Sequence, residues 1–448
     1  MPWPPEERAR MASNDADRVS RRRLLRGAAV AASGGALSAP ATAEEPELSV
    51  PATADGPELS VMTRNLYVGV DLFRLFGADD RAGLRAVAGE LLADLREHPF
   101  SARLGAIADE IAAAGPDVVC LQEAALVRTR DPSEFDAVDD PGASEVLADL
   151  LSGLSAALSA RGAAYEPRAT LVTNDVEVPA DGEDGPVDLR LTDRVAVLVR
   201  ADLPTDASVA TRFDAGVPVP IEDVDPTVRR GYAGADVAVG GRTVRAVTTH
   251  LEPLSAPIRR AQAEELLGAL PDDRPVAVGG DLNSVPGEEA YDLLRSDLED
   301  AGAATRGGSA GPTCCQEADL RNEASSLSRR VDAVLHRGAG RPTAIKRVGE
   351  APDDRVMADI GGETVRVWPS DHAGVVASFP LPAAPTATAS PTVRTPSPTA
   401  ADGTTPTGTP EESTPLASPE PQPGMGLLAA LLAGGAAVGA RLWGRRED

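Results

Sequence analysis

Between residues 59 and 380 short apolar runs alternate with stretches of helical periodicity, and this alternation restricts the fold more than any other feature. The apolar runs predict β-strands at Leu59–Asn65, Asp117–Leu121, Arg194–Arg200, Ala235–Val239, Thr243–Thr249, Pro275–Gly279, Val331–Leu335 and Ala373–Phe379. The helical patterns predict helices at Leu84–Leu95, Ala102–Ala113, Ser144–Ala160, Ile258–Leu270 and Glu288–Leu294. Strands that are apolar almost throughout need cover on both faces. The sequence therefore predicts an α/β fold in which helices cover β-sheets.

Several predicted strands end in a residue whose side chain can take part in chemistry. Asn65, Glu123, His250 and Asp281 all occupy such a position. Strand ends are where α/β sheets usually build their sites. A carboxylate such as Glu123 at the mouth of a buried strand suits a hard cation, although an isolated glutamate there is more often a solvated edge residue.

Asp281 and Asn283 follow a glycine pair in Val278-Gly279-Gly280-Asp281-Leu282-Asn283. The glycines let the backbone turn sharply away from the strand. The i, i+2 spacing can direct the carboxylate and the amide to the same side. Together they could orient water and bind a phosphoryl oxygen, whereas Asp281 alone could equally form an Asx turn.

The chain contains only four histidines, and two of them lie in suggestive surroundings. His250 ends a predicted strand, and His372 follows Asp371 immediately before another. Imidazole is the usual general base near neutral pH. Because adjacent residues rarely bond side chain to side chain, Asp332 is the expected partner that orients His372.

Six short motifs carry these residues in a fixed order along the chain. They are Thr63-Arg64-Asn65, Gln122-Glu123, Thr249-His250-Leu251, Gly280-Asp281-Leu282-Asn283, Arg330-Val331-Asp332 and Ser370-Asp371-His372. The ordered set resembles the endonuclease/exonuclease/phosphatase superfamily, and the resemblance spans residues 59–380. That superfamily includes pancreatic deoxyribonuclease, abasic-site endonucleases, inositol polyphosphate 5-phosphatases and bacterial neutral sphingomyelinases.

The resemblance implies a metal site formed by residues from three of the six motifs. Glu123 would hold the catalytic divalent cation, with Asn65 and Asp371 helping. An oxygen-rich ligand set of this kind suits Mg²⁺, and Mn²⁺ could substitute for it. The cation would stabilise charge on the phosphoryl oxygens.

The resemblance also implies the catalytic residues. Asp281 would orient or activate the attacking water, and Asn283 would bind the phosphate. His372, oriented by Asp332, would act as general base or as transition-state stabiliser. His250 would lie across the phosphate near the leaving group, as in the deoxyribonuclease-like branch.

The implied fold is a four-layer sandwich, in which two mixed β-sheets pack together and helices flank them. The implied activity is phosphoester hydrolysis, and the substrate could be a nucleic acid, a lipid headgroup or an inositol-type phosphate. We expect a monomer. Two alternatives stay open: an endonuclease that acts on extracellular DNA, and a surface protein that binds without cleaving.

Two further segments have no clear role in the resemblance. Leu171–Val187 contains a Gly/Asp-rich turn, and Thr313–Gln316 contains the adjacent cysteines Cys314 and Cys315. We expect both to be loops that either shape the substrate pocket or simply cover the surface. Cys120 lies in an apolar run, and we expect all three cysteines to be free thiols.

The N-terminal residues 1–43 have the pattern of an export signal. Ser20-Arg21-Arg22-Arg23-Leu24-Leu25 resembles a twin-arginine motif, a mildly apolar stretch follows, and Ala41-Thr42-Ala43 offers a cleavage site. A basic tail is the simpler alternative. Residues 44–58 are expected to link this signal to the folded domain at 59–380.

The C-terminal residues are expected to tether the protein to the membrane. Residues 381–423 are rich in Pro, Thr and Ser and predict a disordered stalk. Residues 424–448 contain an apolar stretch that is short for a membrane span and ends in arginines. The arrangement resembles the Pro-Gly-Phe sorting signals of halophilic archaea, with Met425 in place of Phe. The helix is therefore either a permanent anchor or is replaced by a lipid, and both place the domain on the outer face.

The formal net charge of −26 and the use of arginine in place of lysine are typical of a salt-adapted protein. Such a charge would normally argue against a polyanionic partner. In about 1 M salt, however, the Debye length is only about 3 Å. The acidic surface therefore does not exclude nucleic acid as a substrate.

Overall fold

Two large mixed β-sheets form the centre of the protein in the computed structural model. The structure describes residues 56–382 except for residue 79 and the segments 136–140, 219–226 and 305–310. The strands are β1 (Glu58–Asn65), β2 (Val118–Gln122), β3 (Leu126–Arg130), β4 (Glu145–Asp149), β5 (Tyr165–Asp181), β6 (Pro186–Arg200), β7 (Thr205–Pro218), β8 (Thr227–Val239), β9 (Arg242–His250), β10 (Val276–Asp281), β11 (Glu299–Asp300), β12 (Asp332–Arg337), β13 (Ala344–Val348), β14 (Val356–Ile360), β15 (Glu363–Val367) and β16 (Gly374–Pro380). The helices are α1 (Arg81–Glu97), α2 (Phe100–Ala114), α3 (Leu150–Ala160), α4 (Ala256–Ala269), α5 (Glu289–Arg295) and α6 (Ala301–Ala304).

Each sheet combines one parallel strand pair with antiparallel neighbours. Sheet A has the order β13-β16-β1-β2-β6-β3-β4, with β5 also paired to β6, and its β1–β2 pair is parallel. Sheet B has the order β11-β12-β10-β9-β8-β7, and its β9–β10 pair is parallel. The parallel pair in each sheet brings two strand ends to the same edge, which is where the predicted site residues lie.

Alternate residues of the central strands enter different hydrophobic cores. In β2, Val118 and Cys120 belong to the core between the two sheets, whereas Val119 and Leu121 belong to the core under α1, α2 and α3. A third core lies between sheet B and the helices α4 and α5. Burial of both faces explains why these strands are continuous apolar runs. The layers are thus helix, sheet, sheet and helix, and the predicted four-layer sandwich is confirmed.

All eight predicted strands are present, but the predicted helix at Ser144–Ala160 is wrong in its first part. Glu145–Asp149 forms strand β4, which pairs with β3, and the helix begins at Leu150. The Asp149 side chain accepts a hydrogen bond from the Ser152 amide and caps that helix. The predicted helix was too long because its apolar period was extended across this cap.

The predicted loop at Leu171–Val187 is also wrong, because most of it belongs to the long β5–β6 hairpin. Asp175 of β5 and Arg190 of β6, diagonal neighbours in this hairpin, form an ion pair with Oδ2 and Nη2 2.5 Å apart. Such cross-strand ion pairs stabilise the pairing of the two strands. Val176, Val178 and Ala180 alternate along β5 and pack in the core under α1, α2 and α3, but the adjacent Asn174 and Asp175 and the Gly/Asp-rich turn favour a loop in the sequence.

Among the described residues, no helix is both long enough and apolar enough to cross a membrane. The predicted export signal at 1–43, most of the linker at 44–58, the stalk beyond residue 382 and the C-terminal segment at 424–448 lie outside the described residues.

Candidate active site

Strand register in sheet B places three of the predicted site residues side by side. Asp281 at the end of β10 is the register partner of His250 on β9 and of Asp332 on β12. All three side chains are almost fully buried. Backbone pairing alone therefore brings two carboxylates and one imidazole together.

Asn283 follows Asp281 after a sharp turn and adopts a positive φ of 47°. Its amide N–H donates to Asp281 Oδ1 at 3.0 Å, and its side chain donates to the Leu251 carbonyl at 2.9 Å. The Asx turn that was an alternative role for Asp281 is thus present. It occupies only Oδ1, so Oδ2 stays directed to the rest of the site.

Asn65 connects the two sheets. From the end of β1, its Nδ2 donates to Glu123 Oε1 at 3.0 Å and to Asp281 Oδ2 at 3.2 Å. Glu123 Oε2 accepts the Val68 amide at 2.9 Å. One amide group therefore joins the sheet-A carboxylate to the sheet-B carboxylate.

His372 lies immediately before β16 and makes the predicted contact with Asp332. Its Nδ1 donates to Asp332 Oδ2 at 2.8 Å. Its Nε2 lies 3.8 Å from Asp281 Oδ2 and 4.0 Å from Asp371 Oδ1. Burial opposes the charged ring, but the three surrounding carboxylates outweigh it and raise the pKa of His372 well above its ordinary range.

His250 has the opposite electrostatic surroundings. Arg230 Nη1 donates to His250 Nδ1 at 3.1 Å, and His250 Nε2 lies 3.4 Å from Asp281 Oδ2. Burial, followed by the positive charges of Arg230 and His372, lowers the pKa of His250 well below its ordinary range. Because a guanidinium cannot accept a hydrogen bond, the neutral ring carries its proton on Nε2.

Three carboxyl groups of the site have pKa values above their ordinary range. Burial and the neighbouring charge of Asp371 raise the pKa of Glu123 to about 7. Burial and the charge of Asp332 raise the pKa of Asp281 to about 6, and burial also raises the pKa of Asp371. A divalent cation would relieve this repulsion, and the carboxylate oxygens of Glu123 and Asp371 suit such an ion. Asn65 Oδ1 accepts the Tyr67 amide at 2.9 Å and keeps a second lone pair for it.

A second group could also hold a metal ion. Ligand atoms of Asp281, Asp332 and His372 lie within 4.8 Å of one another. In this group Asp332 Oδ2 and His372 Nδ1 satisfy each other, whereas Asp332 Oδ1 is buried without a hydrogen-bond partner among the described residues. Both groups of residues therefore offer oxygen atoms to a divalent cation.

Sequence reasoning missed two buried arginines that support the site. Arg64 on β1 is fully buried, donates to the carbonyl of His372, and pairs with Glu110 of α2, with Nε and Oε2 3.0 Å apart. Its position beside Asn65 within the first motif was the available signal.

Arg103 of α2 is the second of these arginines. It donates to the carbonyls of Leu66, Tyr67 and Pro369, the last two at 3.0 and 2.9 Å. Burial lowers the pKa of Arg103 to about 10. Arg103 therefore ties the loop after Asn65 to the loop before Asp371, and nothing in the helical pattern of α2 marked it.

Ser370 completes the link between these two loops. Its hydroxyl donates to the Asn65 carbonyl at 2.8 Å and accepts the His372 amide at 3.1 Å. The sixth motif thus contains a residue that fixes the backbone between Asp371 and His372.

The expectation of free thiols is wrong for two of the three cysteines. The structure records a disulfide between Cys314 and Cys315, whereas Cys120 is a buried free thiol. Isolated backbone bridges join Cys314 to Arg329 and to His372, which precede β12 and β16. These bridges fix the two adjacent residues so that their sulfur atoms lie together.

The chain is similar to several solved structures at low sequence identity. An endonuclease/exonuclease/phosphatase family protein from Bacteroides thetaiotaomicron is 13% identical to this chain. The match covers 72% of this chain and 95% of that protein, with a TM-score of 0.47. A mannosyl-6-phosphatase from the same organism is 14% identical over 72% and 99%, with a TM-score of 0.46. Truncated TDP2 from Caenorhabditis elegans is 18% identical over 72% and 97%, with a TM-score of 0.41.

No curated protein matches the chain significantly. A sequence profile described as "Endonuclease/Exonuclease/phosphatase family" matches residues 95–372, which is more than half of the chain and includes all the site residues except Asn65. The protein therefore belongs to the endonuclease/exonuclease/phosphatase family.

Proposed function

We propose that this protein is an extracellular, surface-tethered phosphoester hydrolase that depends on a divalent cation, Mg²⁺ or Mn²⁺. Membership of the family supports the reaction class. The observation that carries the proposal is the convergence of Asn65, Glu123, Asp281 and His372 from two different sheets on one buried point. A protein that only binds a ligand has no need for such basic, clustered carboxylates.

Asn65, Glu123 and Asp371 would hold the cation, which when bound stabilises negative charge on the phosphoryl oxygens. Asp281 orients the attacking water and accepts its proton through Oδ2. With a pKa of about 6, this carboxylate is largely ionised at neutral pH. Asn283 binds a phosphoryl oxygen.

The two histidines have separate roles on either side of the phosphate. The raised pKa of His372 keeps its ring protonated near neutral pH, so Nε2 donates to a phosphoryl oxygen and stabilises the transition state. His250 stays neutral with its proton on Nε2, from which it can donate to the leaving-group oxygen. Asp332 and Arg230 fix the orientations of the two rings.

The test is turnover of bis-p-nitrophenyl phosphate in high salt with Mg²⁺, followed by chelation and by re-addition of the metal. We expect hydrolysis that chelator abolishes and Mg²⁺ restores. A panel of DNA, phospholipid and inositol phosphates then identifies the substrate class, and cleavage of DNA alone would favour the endonuclease alternative. No turnover of any phosphoester would leave the binding protein as the surviving alternative.

Export and tethering have their own test. The twin-arginine pattern at Arg21 and Arg22 and the arginine-flanked C-terminal segment support the proposed location. Replacing both arginines by lysine should retain the protein inside the cell, and deleting residues 424–448 should release it into the medium. Unchanged surface exposure of the arginine variant would contradict export by this route.

A further inference from the structure

The vicinal cysteines are fixed directly beside the residues of the sixth motif. The Ala373 amide donates to the Thr313 carbonyl, and the Gln316 amide donates to the Asp371 carbonyl, both at 2.8 Å. Thr313 Oγ1 in turn accepts the Asp332 amide at 3.0 Å. The segment that carries Cys314 and Cys315 is therefore locked to the strand ends that carry Asp332 and His372.

This placement brings two sulfur atoms to the free nitrogen of the imidazole. Cys315 Sγ lies 3.9 Å from His372 Nε2. Both sulfur atoms and a ring nitrogen of His372 lie within 4.8 Å of one another. Nδ1 of the same ring donates to Asp332, which is the carboxylate–histidine arrangement that orients histidine ligands towards a metal ion.

We propose that reduction of the disulfide converts Cys314, Cys315 and His372 into a binding site for a soft divalent cation such as Zn²⁺ or Cd²⁺. Two thiolates and one imidazole are the ligands that such ions prefer. Cys315 is exposed, so solvent can supply the fourth ligand of a tetrahedral site. The hard oxygen site around Glu123 offers no sulfur and has different selectivity.

The chemistry balances with an external dithiol or phosphine as reductant. A dithiol gives two electrons and two protons, the Cys314–Cys315 bond breaks into two thiols, and the dithiol becomes its own disulfide. A phosphine gives the two electrons instead, takes an oxygen atom from water and becomes the phosphine oxide, while the two protons of that water go to the two sulfur atoms. The exposed sulfur of Cys315 is accessible to attack by the reductant. The two protein thiols and the Nε2 position of the His372 imidazolium then release three protons to solvent, as the cation forms two bonds to sulfur and one to His372 Nε2.

Occupation of this site withdraws His372 from the phosphate, so the reduced enzyme is inhibited by the soft cation and the oxidised enzyme is not. That inhibition rests on the proposed function, whereas cation binding does not. The disulfide would then prevent soft divalent cations from binding the His372 imidazole.

The experiment titrates the full-length protein with Cd²⁺ after reduction by a phosphine, and follows the ultraviolet thiolate-to-cadmium absorption band. We expect about one cadmium ion per chain in the reduced protein and no band in the oxidised protein. Cys315→Ser, at an exposed position, should remove the site without disturbing the fold. Asp332→Asn should weaken cadmium binding by about 10–100-fold.

Cys120→Ala is the matched control, because Cys120 is a free thiol in the core between the sheets and should not affect the band. Absence of the band in the reduced wild type, or an unchanged band in Cys315→Ser, would overturn the proposal. If the reduced protein binds Cd²⁺ but hydrolyses no phosphoester with Mg²⁺, the metal site stands and the proposed function fails. If it hydrolyses a phosphoester but shows no cadmium band, the proposed function stands and the metal site fails.

Discussion

The two halves of the site are held in place by different means. In the sheet-B half, His250, Asp281 and Asp332 lie on three neighbouring strands and face each other through backbone register. In the sheet-A half, Glu123 lies just beyond β2, and Asp371 and His372 lie just before β16. Ladder hydrogen bonds position the first group, whereas side chains must position the second.

Buried arginines supply that support in the sheet-A half. Arg64 binds the His372 carbonyl, and Arg103 binds carbonyls on both sides of the site. Tyr67 and Glu123 also adopt positive φ angles of 56° and 51° there. Non-glycine residues in this conformation persist only when their surroundings enforce it. The sheet-A half therefore depends on a few side chains, and the sheet-B half depends on the fold as a whole.

The most severe test removes one catalytic group from each half. His372→Ala and Asp281→Ala should each lower the turnover of a phosphoester by about 10²–10⁴-fold, the usual contribution of a positioned acid or base. Thermal unfolding should show that both variants remain folded. Glu183→Gln, in the exposed β5–β6 turn, is the matched control and should keep full activity. Near-full activity in either alanine variant would show that its half of the site is dispensable.

The next test breaks the support of the sheet-A half. Arg64→Met leaves Glu110 buried without its partner, so the free energy of unfolding should fall by about 3–5 kcal/mol. Activity should fall as well, because the His372 carbonyl loses its donor. Adding Glu110→Gln should recover stability without recovering activity. Denaturant unfolding and kcat/KM measure the two effects separately.

The matched control for this test lies in sheet B. Arg330 pairs with the buried Asp300, with Nη1 and Oδ2 2.7 Å apart, and also bonds the Tyr291 hydroxyl. Arg330→Met should therefore cost stability but little activity, because sheet register positions Asp332 independently. Equal loss of activity in the Arg64 and Arg330 variants would remove the distinction between the two halves.

The same contrast explains what could be predicted from the sequence. His250 and Asp281 end apolar runs and Asp332 begins one, so their strands were predictable from periodicity, whereas their convergence was implied by the family resemblance. The contact from Asp332 to His372 was also expected and is present. Arg64 had one signal, its position beside Asn65 in the first motif, but Arg103 had none, because a buried arginine looks like any surface arginine until its carbonyl partners are known. Strand β5 was not predictable because its polar Asn174 and Asp175 and the Gly/Asp-rich turn after it outweigh the short apolar alternation of Val176, Val178 and Ala180.

A smaller effect should appear in the pH dependence of stability of the metal-free protein. The folded pKa of His372 is raised, so its stabilising contribution is complete below about pH 6.5 and is lost as pH rises through the folded value. The folded pKa of His250 is lowered, so its contribution is present above about pH 6.5 and is lost as pH falls towards the folded value. Unfolding free energies measured across pH should show both limbs.

Replacing one histidine at a time shows which histidine causes the loss of stability at high pH and which causes the loss at low pH. His372→Gln should flatten the alkaline limb, and His250→Gln should flatten the acidic one. Mg²⁺ should lower the pKa of His372 if it neutralises the carboxylates around Asp371, which nuclear magnetic resonance titration can follow. If both histidines titrate near their ordinary value, the electrostatic difference between the two halves is absent.

The smallest expected effect comes from a single hydroxyl in the sheet-A half. Tyr67 Oη donates to the Ala318 carbonyl at 2.9 Å, so Tyr67→Phe should lower the free energy of unfolding by about 1 kcal/mol. Tyr165→Phe is the matched control, since Tyr165 Oη donates to the Pro116 carbonyl at 2.6 Å on another side of sheet A. Both variants should lose similar stability. Only Tyr67→Phe should lower kcat/KM, by at most about fivefold, the rate equivalent of 1 kcal/mol. If Tyr165→Phe lowers kcat/KM equally, the loop after Asn65 has no special part in holding the site, and the arginines alone support that half.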